Sequence, residues 1–159
     1  MALLGHDHVN VVVTDMERSR HFYTTLFGLR VVMDRPLSGE WFERVTGLDG
    51  ARARCVILAA PDGGCRVELL EFEDHPAGQA AVASTPGLRH VALRVDDLDR
   101  HLALLAVEFG QTVTPVEVPG DIVRGGKRMC YVRDPDGAMI ELCQYGQERP
   151  EFRTVQRRD

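Results

Sequence analysis

An α+β fold built from two tandem βαβββ modules is what this sequence predicts, and three observations carry the prediction. "HVNVVVTDMERSRHFYTTLFG" from His8 lines up without gaps on "HVALRVDDLDRHLALLAVEFG" from His90, with seven identities in 21 positions, and such repetition marks a duplicated supersecondary unit. Each copy changes from two-residue alternation of apolar side chains to helical spacing, as a strand running into a helix does. Finally, "VELLEF" at Val67–Phe72 returns as "IELCQY" at Ile140–Tyr145, each shortly after a turn signal, "PDGG" or "DPDG".

Taken in order, the first strand of each module is the alternating run Val9, Val11, Val13 or Val91, Leu93, Val95. Thr14 and Asp96 are the expected N-caps of the helices that follow, and Gly28 and Gly110 end them. Three strands come next in each module: Arg30–Asp34, Ala53–Ala60 and Cys65–Phe72, then Thr112–Val118, Arg128–Arg133 and Ala138–Tyr145. The last two of each set form a hairpin. From His8 to Glu68 is 60 positions but from His90 to Glu141 only 51, and the surplus falls around "SGEWFERVTGLDG", Ser38–Gly50. That stretch reads as a short amphipathic helix with Trp41, Phe42 and Val45 along one side, a candidate lid. Two such modules form a curved, cup-shaped mixed sheet with the helices outside. The expected organisation is a single domain over 1–145, with module one at 5–72, an Ala/Pro/Gly-rich linker at 73–87 and module two at 88–145. The C-terminal tail, 146–159, has no core periodicity.

Composition narrows the function. At 159 residues, 44% hydrophobic and 27% charged, the chain supports one globular core. No stretch approaches the roughly 18 apolar residues of a membrane helix, and "MALLGHDH" is too short for a signal peptide, so the expected location is cytoplasmic. The net charge of -5, with 19 scattered basic residues against 24 acidic ones, excludes a nucleic-acid footprint. The partners left are a small-molecule substrate and a second copy of the chain. Cys55, Cys65, Cys130 and Cys143 form no CxxC and fall on expected strands, which reads as reduced, buried thiols rather than a thiolate metal site. Lys127, the only lysine, carries no motif.

Chemistry enters through two glutamates inside apolar runs. Glu68 shares a strand face with Leu70 and Phe72, and Glu141 with Cys143 and Tyr145. A lone buried carboxylate costs several kcal/mol, so each calls for a cation. His8, alongside Asn10, points away from the Val9/Val11/Val13 face, and His90 opposes Val91, Leu93 and Val95 in the same way. Both histidines and both glutamates therefore occupy the face opposite the helices. Two imidazoles and two carboxylates converging on one cavity suit a single divalent metal ion (Fe, Mn, Co, Ni or Zn) with positions left open. The plainer reading is a pair of structural histidines and two Glu–Arg ion pairs; four coincidences matched by the repeat favour the metal. Asn10 and Arg94 share the ligand faces and either hold substrate oxygens or form a salt bridge at the cavity rim, while Trp41 and Phe42 either close over the site or merely pack, packing being the favoured reading. His6, whose repeat partner is Leu88, and His75 in the linker are given no role.

The segments "DHVNVVVTDMERSRHFYTTLFGLRVV", "VELLEF", "RHVALRVDDLDRH" and "YVRDPDGAMIELCQY" resemble the vicinal oxygen chelate superfamily, over about Gly5 to Tyr145. That group includes glyoxalase I, methylmalonyl-CoA epimerase, extradiol dioxygenases and fosfomycin or bleomycin resistance proteins. The resemblance implies metal ligands at His8, Glu68, His90 and Glu141. Dioxygenases and fosfomycin enzymes of the superfamily need only two histidines and one glutamate, which would leave Glu68 spare. A carboxylate at that place implies instead proton transfer next to a metal-bound carbonyl, with Glu68 and Glu141 as the catalytic carboxylates. The asparagine by which glyoxalase I holds glutathione would fall at Phe72, which speaks against a glutathione substrate. The chain is expected to be a homodimeric, metal-dependent epimerase or isomerase acting on a small hydroxy-ketone or keto-polyol, for example a cyclitol such as 2-epi-5-epi-valiolone. A glyoxalase I-like lyase and a non-catalytic drug-binding resistance protein are the alternatives.

Overall fold

Alternation of Val9 and Val11 with Asn10 and Val12 makes β1 (Val9–Val12), which Asp15 turns into α1 (Met16–Phe27). The computed structural model describes residues 2, 5–74, 83, 84, 86–120, 123 and 125–146. Within them module one continues through β2 (Arg30–Leu37), α2 (Glu40–Thr46), β3 (Ala53–Ala59) and β4 (Arg66–Phe72). Module two holds β5 (His90–Arg94), α3 (Leu98–Phe109), β6 (Val116–Val118), β7 (Lys127–Arg133) and β8 (Met139–Tyr145). The α+β order βαβββ thus occurs twice, and α2 is the surplus of the first copy. Most of the linker and the tail from residue 147, together with His75, lie outside the described residues.

The helix starts correct the expected caps by one residue. Asp15 and Asp97, both extended, accept the backbone N–H of Arg18 and Arg100 at 3.0 Å each. Thr14 is left outside the helix, and its hydroxyl donates to Asp136 instead. Gly28 closes α1 at φ 64°, where a side chain would be strained, and donates to the Thr24 carbonyl at 3.0 Å. A second device is common to both modules: Glu71 accepts the Met16 N–H at 3.2 Å, and Gln144 accepts the Leu98 N–H at 3.0 Å. Each residue stands three positions after its strand glutamate, so the strand that carries the carboxylate also anchors the helix.

In module one the sheet order is β1-β4-β3-β2, with β1 parallel to β4 and the other pairs antiparallel. Val56, Leu58, Val67 and Leu69 form the face against α1 and are buried with Phe22, Tyr23 and Leu26. Each such side chain contributes about 2 kcal/mol relative to exposure. The opposite face carries Glu68 and Cys55 among Ile57, Leu70 and Phe72. On β2 a register shift between Val31 and Met33 brings Met33, Arg35 and Leu37 opposite Ile57, Cys55 and Ala53. A bulge of this kind re-aims side chains, and an edge strand tolerates Pro36.

Contacts divide the chain into two compact units, one holding the residues up to Val91 with Arg133–Met139, the other Ala92–Val132 with the residues from Ile140 on. The "DPDG" turn therefore groups with module one. Asp134, only 3% exposed, accepts hydrogen bonds from the N–H of Asp136 and Ala138 at 3.0 and 2.7 Å, and from the Tyr23 hydroxyl at 3.0 Å. Asp136 receives Arg18 at 2.8 Å, Ser19 at 3.2 Å and the Thr14 hydroxyl. The turn motif is thus an anchor for α1 as well as a change of direction.

Module two forms its own four-stranded sheet in the order β5-β8-β7-β6. β6 is shorter than the expected Thr112–Val118 because only Val116–Val118 pair with β7, and Pro115, which has no N–H, stands just before them. All four cysteines are free; Cys55, Cys130 and Cys143 are buried as expected, whereas Cys65 is half-buried and stands just before β4. No helix among the described residues is long and apolar enough to cross a membrane.

Candidate functional site

β1 and β4 run parallel with Asn10 opposite Glu68, and this register brings the module-one half of the expected site together. Glu68 Oε2 lies 3.5 Å from His8 Nε2 and accepts a hydrogen bond from the Asn10 amide at 3.0 Å. On the other side of the ring, His8 Nδ1 is 2.7 Å from an Asp7 carboxylate oxygen, and Arg66 reaches the other at 3.4 Å. The hydrogen bond with His8 holds the Asp7 carboxyl below the ordinary aspartate range. Glu68 Oε1 accepts from the Cys55 thiol at 3.5 Å. Burial, assisted by the Glu68 charge, pushes that thiol up to about 12, so Cys55 is a neutral donor here.

Of this cluster Glu68 and Cys55 line a cavity of about 430 Å³, together with Arg35, Leu37, Ser38 and Trp41, whereas His8 and Asn10 are not part of its lining. The surplus segment of module one builds its outer wall. Gly39, at φ 90°, swings the chain from β2 into α2. Of the three residues expected along one side of that helix, only Phe42 is buried, stacked on Phe72 with ring centroids 5.8 Å apart. Trp41 is 56% exposed and Val45 faces solvent, because a seven-residue helix has room for one anchor. Trp41 therefore lines the cavity rather than the core.

The module-two half has a different electrostatic solution. Glu141 is 6% exposed on β8, and its Oε1 accepts the Lys127 ammonium of β7 at 2.7 Å. Burial works to lower the Lys127 pKa, but the Glu141 hydrogen bond and charge outweigh it and hold it above the usual lysine value. Lys127 and Arg94 both lie over the Tyr145 ring, at 5.6 and 5.8 Å from its centroid. Arg94 is thereby held against an aromatic ring. His90 opens β5 and is exposed.

The residue types fit a divalent cation unequally well. The first half fits directly: His8 presents Nε2 towards Glu68 while Asp7 fixes its Nδ1, the carboxylate–histidine support usual behind a metal ligand. Glu141 and His90 fit in donor type, but the Glu141 carboxylate already has a cation at Oε1. Among the described residues, no three His, Cys, Asp or Glu side chains are gathered so as to hold one ion. Sequence reasoning missed Lys127, Asp7 and Cys55. Only Cys55 left a signal, by sharing the alternating strand face of the pocket; Lys127 meets Glu141 through strand pairing, which spacing does not reveal.

Comparison with known proteins bears on the fold and the family. A family model described as the glyoxalase/bleomycin resistance protein/dioxygenase superfamily matches residues 5–142. The lactoylglutathione lyase GLX1 of Arabidopsis thaliana is 24% identical over 139 residues, covering 87% of this chain but 44% of the plant protein, so the chain spans less than half of that relative. YwkD, an uncharacterised protein of Bacillus subtilis, is 27% identical over 142 residues, covering 89% of this chain and 98% of YwkD. The crystal structure of a glyoxalase family protein from Bacillus cereus superposes with a TM-score of 0.75 at 27% identity, covering 91% of this chain and 96% of that one.

Proposed function

This chain belongs to the glyoxalase/bleomycin resistance protein/dioxygenase superfamily, and from that premise we propose that it is a metal-dependent epimerase or isomerase moving a proton next to the carbonyl of a small hydroxy-ketone. The observation that carries the reading is the position of Glu68, a carboxylate on a cavity wall with one oxygen turned to His8 and Asn10. A divalent cation held by His8, Glu68, His90 and Glu141 would supply Lewis-acid polarisation of the carbonyl. Glu68 takes the proton from the carbon beside that carbonyl, the C–H electron pair moving towards the carbonyl oxygen. The Asn10 amide and the Cys55 thiol orient the Glu68 carboxylate, each fixing one oxygen. Glu141 is assigned the return of a proton, which inverts the carbon when delivery is to the opposite face. A homodimer in solution is part of the same reading.

A lactoylglutathione lyase is the second reading, favoured by the name of the Arabidopsis relative. Phe72 weighs against it, since that position is committed to a stacked pair with Phe42 and offers glutathione no hydrogen bond.

Incubation of metal-loaded protein with hydroxy-ketones in deuterated water separates the two. Solvent deuterium should enter the carbon next to the carbonyl, and Glu68→Gln should remove most of that exchange while keeping some metal. Formation of a thioester from methylglyoxal and glutathione, without exchange in any hydroxy-ketone, would replace the first reading with the second.

A further inference from the structure

Module one has a pocket that its repeat does not predict, because Ser38 and Trp41, which line it, belong to the surplus segment. Its polar groups are asymmetrically arranged. Glu68 and Cys55 are engaged with each other, whereas Arg35, opposite Cys55 across β2 and β3, makes no hydrogen bond or ion pair among the described residues. Its neighbour Arg54 shows the contrast: that guanidinium grips Asp34 through two hydrogen bonds at 2.9 and 2.7 Å and Glu17 through a third at 2.8 Å. Arg35 is exposed at the pocket, whose lining mixes apolar Met33, Leu37 and Trp41 with the polar groups of Ser38, Cys55 and Glu68. A guanidinium so placed has five donors that no protein acceptor among the described residues occupies.

We propose that the substrate of this pocket carries an oxyanion, a carboxylate or a phosphate, which Arg35 holds while Trp41 covers the carbon chain and the carbonyl end faces Glu68. Arg35 pairs with Cys55 and Cys55 with Leu70, so Glu68 stands two strand spacings across and two residues along from Arg35, about 12 Å between backbones, which leaves room for a few carbon atoms between the anion and the reacting carbon. This rests on Glu68 as the proton-transfer group and adds an anionic group to the small hydroxy-ketone or keto-polyol expected from the sequence. The net charge of -5 describes the whole chain, whereas Arg35 lines the pocket itself.

Trp41 is the only tryptophan in the chain and lines the pocket, so its fluorescence reports occupancy without any need for turnover. Two matched pairs serve as probes on the full chain: erythrulose phosphate against erythrulose, and fructuronate against fructose. The anionic member of at least one pair should shift the emission with a Kd about tenfold to a hundredfold lower than its neutral partner. Which pair shows the larger difference distinguishes phosphate from carboxylate. Arg35→Ala should abolish the preference, and Arg35→Lys should restore part of it. Equal binding of neutral and anionic probes, no response from any of the four, or a preference that survives Arg35→Ala would overturn the proposal. Arg35-dependent binding without deuterium exchange would instead leave this site standing and remove the role given to Glu68.

Discussion

Glu141 and Glu68 have the same place in the repeat but different company, and the difference sets the first test. Glu141 is nearly buried beside Lys127, so removing the ammonium strands a charge in a poor dielectric. Lys127→Met should destabilise the metal-free protein by about 3 kcal/mol in urea denaturation, and added divalent metal should recover part of that by giving the carboxylate another cation. A variant as stable as the parent would show that Lys127 does not balance Glu141. Asp134 gives a pH test. Burial holds its carboxyl above the ordinary value of 3.8, against the pull of the Ala138 N–H and the Tyr23 hydroxyl. The folded state therefore binds this proton more tightly than the unfolded one. Its contribution is fully present below the ordinary value and is lost as pH rises through the folded pKa. Asp134→Asn retains an acceptor for both backbone N–H groups, so its stability relative to the parent should improve from about pH 4 to about pH 7. A difference independent of pH would contradict this. Residues whose face follows from alternation, His8, Asn10 and Glu68, were legible in the sequence. Asp134 was read as a turn residue only, since its bond to Tyr23 spans 111 positions.

At the scale of elements, alternation and glycine placement located every strand and both long helices. The differences came where a partner decides the outcome. Thr14 is as good a cap as Asp15 by residue type, but Asp136 draws its hydroxyl away. Asp15→Ala should therefore cost about 1 kcal/mol by loss of the α1 cap, while Thr14→Ala should leave helix content unchanged. Thermal denaturation followed by circular dichroism checks both, and equal losses would restore Thr14 as a cap. The short helix α2 was legible as an amphipathic stretch, yet its buried residue depended on Phe72 in β4 and its exposed tryptophan on the cavity beneath it.

For the whole molecule, the duplication is the source of both the fold and the expected ligands. The repeat places a histidine at the start of, or just before, the first strand and a glutamate on the strand paired with it in each sheet, β1 with β4 and β5 with β8. The asymmetry between the copies was only partly legible: the surplus at Ser38–Gly50 was visible as length, but that it builds a pocket was not. The central claim is that both copies contribute to holding one metal ion, and titration of metal-free protein with cobalt(II), followed by visible absorption and elemental analysis, tests it most directly. The account predicts about one cobalt per chain with a nitrogen- and oxygen-ligand spectrum, lost in both His8→Ala and His90→Ala and weakened in Glu68→Gln and Glu141→Gln. Binding that survives His90→Ala and Glu141→Gln unchanged, or no binding at all, would contradict it.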